Sequence, residues 1–364
     1  MKLTKKKLSI IINAALILLC AACIIGAVSV TKTLNSQYEY KRWQGDNEMA
    51  FAQISVFLPD SSTVGMSQIN TFRSNMMTAF KEASIESDNL LFIDAWSCTG
   101  SAKVASDRAN TTAAVTAVGG NFFSFHPLTL LSGNYISEND VSPDTVVIDE
   151  ELAWLLYGSS DVTGMTLRIG SGIYTVAGVV DRNDDFATKK AYTGGLGLFM
   201  NYDAYCGLVT ETAAADNPVS APGITCYEVC LPDPVKDFAI NLVQSKFPAS
   251  GGEIISNSGR YSFSKLMGIA KNFASRAISG SVSYPYWENA ARYTENKAAL
   301  LVVLALLFAV CPLVTGIICL AKLISRGSEK MSEDVMPSLK EKTEEKIRVR
   351  QRKRWEKQHN KNNT

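Results

Sequence analysis

The stretch "VVIDEELAWLLYG" (146–158) sets three carboxylates, Asp149, Glu150 and Glu151, between two apolar runs. Their order is that of a strand running into a helix. Asp149 is a good N-cap, and Glu150 and Glu151 fall in the first turn, where the positive end of the helix dipole favours anions. Leu152, Leu155 and Leu156 then form one apolar face, and Gly158 stands where a helix often ends. Each capping or dipole contribution is roughly 0.3–2 kcal/mol, enough to fix a short helix, so the acids need no catalytic role.

Around this helix the strands are short and punctuated by glycine. "TVVI", "MTLRIG" and "IYTVAGVV" predict a small, mostly β part. On either side the pattern changes. "FAQISVFLP" alternates as a strand does, and "MSQINTFRSNMMTAFKEASI" places Ile69, Phe72, Met76, Met77 and Phe80 at helical spacing. "LLFIDAW" and "TTAAVTAV" predict further strands. Much later "GITCYEVCLPDPVKDFAINLVQSKF" repeats strand, turn and helix, with Phe238, Ala239, Leu242 and Val243 on one face. Two strand-helix units so far apart predict one α+β layer interrupted by an insertion. "TGGLGLFMNYDAYCGL" and "ETAAADNPVSAPG" read as loop and connector before the layer resumes, and "SFSKLMGIAKNFASRAI" as a helix descending toward a membrane.

Two uncharged apolar runs bracket all of this. Residues 8–30 and 298–321 are 23 and 24 residues long, each sufficient to cross a bilayer at about 1.5 Å per helical residue. The first follows Lys2, Lys5, Lys6 and Lys7 but is too long for an ordinary signal-peptide core, which predicts an uncleaved anchor. From Lys322 onward there are 13 basic and 7 acidic residues, while 31–297 has 19 basic against 28 acidic, a net −9. Basic flanks stay cytoplasmic, so both termini are expected inside and 31–297 outside the plasma membrane. Aromatics near both spans, Tyr38, Tyr40 and Trp43, then Tyr284, Tyr286, Trp287 and Tyr293, fit either interfacial anchoring or packing of a juxtamembrane stalk. In the tail, "KIRVRQRKR" (346–354) has six basic residues in nine, which fits a solvated helix, an anionic-lipid surface or an acidic partner.

Little in the chain points to catalysis. There is no P-loop pattern and no HExxH, since the histidines are His126 and His359 alone. His126 reads as a packed or exposed side chain rather than a general base. "SFSK" (262–265) and "SDN" (87–89) match fragments of penicillin-recognising enzymes, but in the wrong order and without KTG. "DRNDDF" (181–186) lacks the glycine and terminal glutamate of a calcium loop and reads as a solvated turn. Cys226 and Cys230 lie on one face of a strand about 13 Å apart, too far to bridge each other. A disulfide would join them to Cys98 or Cys206; otherwise they are buried thiols. No catalytic, cofactor-binding or metal-ligating residue is expected, and no cofactor.

The order of pieces carries a resemblance. "AVGGNFFSFHPLTLLSGNYISENDV", "VVIDEELAWLLYG" and "DVTGMTLRIGSGIYTVAGVV" resemble the periplasmic core domain of MacB-like ABC permeases of the FtsX type. The matching positions are Phe122, Phe123, Gly133, Asp140, Ala153, Tyr157, Gly158, Gly164 and Gly178. Two features depart from the family pattern: Val162 and Thr163 replace its turn proline before Gly164, and one span rather than three follows the domain. The resemblance implies an α+β fold, an extracytoplasmic porter-like α/β lobe with an inserted small β subdomain (about 117–195), which the two apolar runs place between two transmembrane helices.

The expected division is thus a cytoplasmic N-terminus (1–7), a span (8–30), a MacB-like core domain (31–297), a second span (298–321) and a basic cytoplasmic tail (322–364). The expected role is that of a non-catalytic accessory or half-permease subunit in an ABC transport or mechanotransmission system. Its partners would be the lipid bilayer, a separate ABC ATPase and an FtsX-type permease subunit, in a homo- or heterodimer, without nucleic acid. The alternative is a stand-alone sensor that binds an envelope ligand.

Overall fold

The computed structural model describes residues 5–45, 49–86, 90–137, 142–182, 185–192, 195–212, 220–272, 282, 284–330 and 336–361. Two compact units divide the chain: Ile25–Val302, and Met1–Ile24 with Val303–Thr364.

The chain opens with the apolar helix α1 (Lys5–Lys32), a 3-10 turn (Asn35–Gln37) and the short α2 (Glu39–Gln44). The first strand-helix unit is β1 (Phe51–Phe57) and α3 (Met66–Glu82), followed by the long hairpin β2 (Ile93–Ala105) and β3 (Asn110–Gly120). Next come α4 (Phe122–Phe125), β4 (Thr129–Gly133), β5 (Thr145–Asp149), α5 (Glu150–Tyr157), β6 (Thr166–Ile169), β7 (Gly172–Asp181) and α6 (Phe186–Ala191). After β8 (Gly197–Asn201) and α7 (Tyr202–Thr212), the second strand-helix unit is β9 (Cys226–Pro232) and α8 (Phe238–Lys246). β10 (Glu253–Ser256), α9 (Phe263–Lys271), α10 (Tyr286–Lys330) and α11 (Met336–Lys361) complete the order.

Among the described residues ten strands form one sheet, ordered β10-β1-β9-β2-β3-β8-β5-β7-β4, with β6 bridging β2 and β7. The two strand-helix units are neighbours: β1 pairs β9 antiparallel, and α3 and α8 contact each other over them. Phe72 of α3 meets Phe247 and Tyr227 edge-on at 5.0 and 5.7 Å, so both units close one core. Ile69, Phe72, Met76 and Phe80 are buried as the spacing predicts, whereas Met77 is 39% exposed because it points off the stripe.

Where the sequence reads as loop, "TGGLGLFMNYDAYCGL" forms β8 and α7. β8 pairs parallel with β3 and antiparallel with β5, and so joins the strands of 117–195 to the rest of the sheet. Leu198, Phe199 and Met200 are all buried, as expected of a strand covered on both faces; such a strand shows no alternation, and the nearby glycines read as a loop signal.

The helix in the opening stretch forms as its residues dictate. Asp149 Oδ1 accepts from the Leu152 amide at 2.8 Å, and Gly158 adopts φ 78° while its N–H closes on Trp154 O at 2.9 Å. Leu152, Ala153 and Leu156 are buried, but Leu155 lies 42% exposed, off the apolar face it was expected to share. Asp149 also accepts from the Gly197 amide of β8 and from Arg182 Nε at 2.9 Å, while Arg182 reaches Glu151 at 2.8 Å. One carboxylate thus ties α5, β7 and β8 together.

The other family markers are structural as well. Gly133 and Gly178 face each other across β4 and β7, with Asn134 N–H on Ala177 O at 2.8 Å. A Cβ on Gly178 would stand 2.4 Å from Asn134 O, and one on Gly133 2.0 Å from Ala177 O. Only glycine allows this approach, and Gly133 has φ 74° besides. Tyr157 donates to Thr166 O at 2.9 Å, Ala153 is buried under α5, and Phe122 and Phe123 are buried on α4. Asp140 and the "SDN" stretch lie outside the described residues.

In the unit formed by Met1–Ile24 and Val303–Thr364, Thr315 Oγ1 of α10 donates to Asn13 Oδ1 of α1 at 3.0 Å. Two helices, Lys7–Lys32 and Tyr286–Arg326, are long and apolar enough to cross a membrane. Both extend beyond the apolar runs. The second begins twelve residues before residue 298, because "YWENAARYTENK" is itself helical.

Replacing Asp149 with Ala removes the α5 cap, leaves the buried Gly197 amide without its acceptor and leaves the Arg182 guanidinium with Glu151 as its carboxylate. We expect a loss of roughly 2–4 kcal/mol in the unfolding of the detergent-solubilised chain. Asp149→Asn, which can still cap, should lose less than half as much.

Candidate functional site

β1 and β9 read as uninterrupted buried strands, yet one face of each carries polar side chains. Alternation puts Ala52, Ile54 and Val56 against α3 and α8, and turns Phe51, Gln53, Ser55 and Phe57 to the other side. In β9, Tyr227, Val229 and Leu231 join the first core, while Cys226, Glu228 and Cys230 face the second. Gln53, Ser55 and Glu228 are therefore buried polar groups that must find partners inside the protein.

The partners come from both segments that lead to the spans. On the α1 side, Gln53 Oε1 accepts from the Glu39 amide at 3.0 Å, and its Nε2 donates to Ser36 O at 2.7 Å. Toward α10, Ser55 Oγ donates to Glu228 Oε1 at 2.8 Å and accepts from Asn257 Nδ2 at 2.8 Å. Arg260 follows, 3% exposed. Its Nη1 donates to Gln37 Oε1 at 3.1 Å and to Asn257 Oδ1 at 3.3 Å. The rest of its guanidinium grips α10, reaching Glu288 at 2.7 Å from both Nη1 and Nη2 and Glu295 at 2.6 Å from Nε. Arg292 Nε bonds the same Glu288 at 2.8 Å, and its Nη2 reaches Glu253 of β10 at 2.9 Å.

Glu228 holds a second partner. Its Oε2 pairs with Nε2 of His126, which is buried between Phe122 and Trp287 with ring centroids at 4.6 and 4.4 Å. His126 is a packed side chain, as the sequence suggests. Ser55, Glu228 and His126 do not make a hydrolase triad. The carboxylate sits between hydroxyl and imidazole, so the imidazole does not reach Ser55 as it would in a triad, and all three side chains are buried.

The aromatics before the second span belong to this core. Trp287 is 4% exposed, and Tyr284 packs edge-on to Phe57 at 5.4 Å. On the next face of α10, Ala290 and Ala291 pack with Leu34 and with Ala187 of α6. Lys297 lies over the Phe186 ring at 4.3 Å and Lys190 over Tyr293 at 4.8 Å. The early turns of α10 are thus enclosed by the α1 exit, α6, β1, β9 and the β10–α9 connection.

The remaining sequence candidates do not assemble chemistry. Lys265 Nζ donates to Ser256 O and Ser258 O at 3.4 and 3.3 Å, and Ser262 is the N-cap position of α9. Asp185 of the acidic "DRNDDF" caps α6 through the Ala187 and Thr188 amides at 3.0 Å each. Asp184 lies outside the described residues. Among the described residues no three His, Cys, Asp or Glu side chains are grouped to hold a metal. Cys98, Cys206, Cys226 and Cys230 are free thiols. Cys98 is on the opposite sheet face from Cys226 and Cys230, and burial pushes its thiol up to about 12. A pocket lined by Leu128, Asp149, Arg182, Tyr192, Phe199 and Tyr286 has a free volume of ≈ 10 Å³, room for about one water.

The sequence reading missed Glu228, Arg260, Glu288 and Glu295. The available signal was an acid inside "ITCYEVCLP", a stretch otherwise apolar enough for a buried strand.

The model of the MacB-like periplasmic core domain matches residues 10–222. The periplasmic region of MacB from Actinobacillus actinomycetemcomitans is 16% identical, with a TM-score of 0.37 over 62% of this chain and 94% of that one. The extracellular domain of the noncanonic ABC-type transporter YknZ from Gram-positive bacteria is 12% identical, with a TM-score of 0.36 over 56% and 99%. No curated protein matches the sequence. The matched residues end before β9, so they exclude Glu228, Arg260, Glu288 and Glu295.

Arg260→Met leaves Glu288 and Glu295 buried without their main counter-charge and should cost roughly 3–5 kcal/mol. Neutralising all three as Arg260→Met, Glu288→Gln and Glu295→Gln should recover most of that loss in the same unfolding measurement. Glu39 supplies a pH test. Burial raises its pKa above the ordinary 4.5, outweighing the opposing charge of Arg42. Its favourable contribution is then complete below the ordinary value and declines as pH rises through the higher folded value. Glu39→Gln should remove that decline from a plot of unfolding free energy against pH; parallel curves for both proteins would refute the assignment.

Proposed function

The chain belongs to the MacB-like periplasmic core domain family, and from that membership we propose that it is a non-catalytic, membrane-anchored subunit of an ABC-type transport or mechanotransmission system. It passes movement between its lobe and its apolar helices. The observation that carries this reading is the grip on α10: Arg260 binds Glu288 and Glu295 in the first turns of a helix that continues without a break in sequence to Lys330. Gln37, just after α1, binds the same guanidinium. A displacement of the β10–α9 connection therefore acts on both segments that lead to the apolar helices.

The charge pattern supports an orientation with both termini cytoplasmic and 31–297 outside the plasma membrane. The printed sequence has no P-loop, so the energy source in this reading is a separate ABC ATPase, with an FtsX-type permease subunit or a second copy as the membrane partner.

Purification of the tagged chain from its native membrane in mild detergent should bring down an ABC ATPase together with a permease subunit. Recovery of the chain alone, under conditions that preserve other ABC complexes, would overturn the reading. In a complex so obtained, the triple neutral replacement of Arg260, Glu288 and Glu295 should leave assembly intact while weakening the response of ATPase rate to the lobe's presence.

A further inference from the structure

Helix α11 sorts its charges by face. At about 100° per residue, Lys342, Lys346, Arg350 and Arg354 recur every four positions, and Lys353 falls among them. These five cations cover a stripe about 120° wide that contains no acid. Glu341, Glu344 and Glu345 lie on the opposite side, where Arg348 and Arg352 alternate with them; Glu344 stands four residues before Arg348. Residues 339–355 are exposed throughout, and the helix has no continuous apolar face: Ile347, Val349 and Trp355 project in three different directions.

We propose that this stripe docks α11 on a surface of anionic lipid headgroups. A straight row of cations along one side of a helix matches a planar charged surface, because all five can reach it together while the acids stay in water. The absence of an apolar face argues against insertion and for electrostatic adhesion. The lipid is at hand, since α11 follows a helix long and apolar enough to cross a bilayer in the same chain. Each Lys or Arg near an anionic surface strengthens such binding about fivefold, and salt screens it.

The proposal is independent of any ABC partner, because its test needs only the full chain and lipid. The chain is placed in nanodiscs of phosphatidylcholine alone or with about 30% phosphatidylglycerol, a strongly anionic surface. Amide hydrogen exchange is then followed over 342–354. Exchange should slow several-fold in the anionic discs, and the slowing should vanish at about 0.5 M salt, where the Debye length is only a few ångströms. The double variant Lys346→Gln/Arg350→Gln should lose most of the effect, whereas Arg348→Gln/Arg352→Gln, equal in charge but off the stripe, should keep it. Equal slowing in both lipids would overturn the proposal. So would equal loss in the two variants, which would mean net charge rather than the stripe, or slowing seen only when an acidic protein partner is added.

Discussion

Arg260 is a fully desolvated guanidinium whose hydrogen-bonding reach spans the segment after one apolar helix, a loop from the sheet edge and two turns of another helix. A charge taken out of water in this way is tolerable only when carboxylates and amide oxygens replace its hydration. Glu288 and Glu295 supply the charge, seven residues and so two turns apart on α10, while Gln37 and Asn257 supply the neutral acceptors. The spacing of the two glutamates follows the helical period, so both reach one cation only if the segment is helical. This explains why "YWENAARYTENK", which is polar and aromatic rather than apolar, continues the helix of the second span instead of forming a loop.

From Arg260 the polar contacts continue through Asn257 and Ser55 to Glu228 and His126. Every member belongs to the sheet face opposite α3 and α8 or to elements packed on that face. The sheet thus has two different sides: one covered by the aliphatic and aromatic side chains of an α/β layer, with the Asp94 carboxylate held there by Arg73 and Tyr227, the other joining Phe122, Phe125, Phe199 and Trp287 to the longer run of buried polar and charged groups. The first kind of core mainly supplies stability through area removed from water. The second commits its elements to particular partners, since any displacement leaves a polar group unpaired.

Much of this architecture was legible where period and punctuation agree. The Asp149 cap, the helix it starts, the Gly158 end and the two strand-helix units follow from local spacing. β8 was not legible, because a five-residue strand buried on both faces has no alternation and follows "TGGLG". Among the nine positions that carry the resemblance to known permeases are Gly133, Gly158 and Gly178, whose work is to permit close backbone approach or a left-handed turn. Such residues identify a fold reliably and say nothing about the junction near α10. The charge lock was hidden for a different reason. Its acidic and basic members include residues 228, 253, 260, 288, 292 and 295, and only the tertiary fold brings them together. Glu228 alone left a trace, an acid in a strand that ought to be apolar throughout.

Why an ion cluster stands where leucines could is a question of what each can specify. Apolar side chains of suitable volume are often as stabilising as a buried ion pair, or more so, which makes stability a poor reason for Arg260. Register is a better one. If α10 turned by one residue, its side chains would rotate about 100°, and Glu288 and Glu295 would leave the guanidinium together. An aliphatic contact would merely be replaced by another aliphatic contact, whereas here Arg260 would lose both carboxylates and Glu288 would keep only Arg292 of its own helix. The energy therefore rises steeply on either side of one arrangement, and the helix cannot creep through intermediate positions. The first turns of a helix held this way either keep their place against the sheet edge or leave it as a whole.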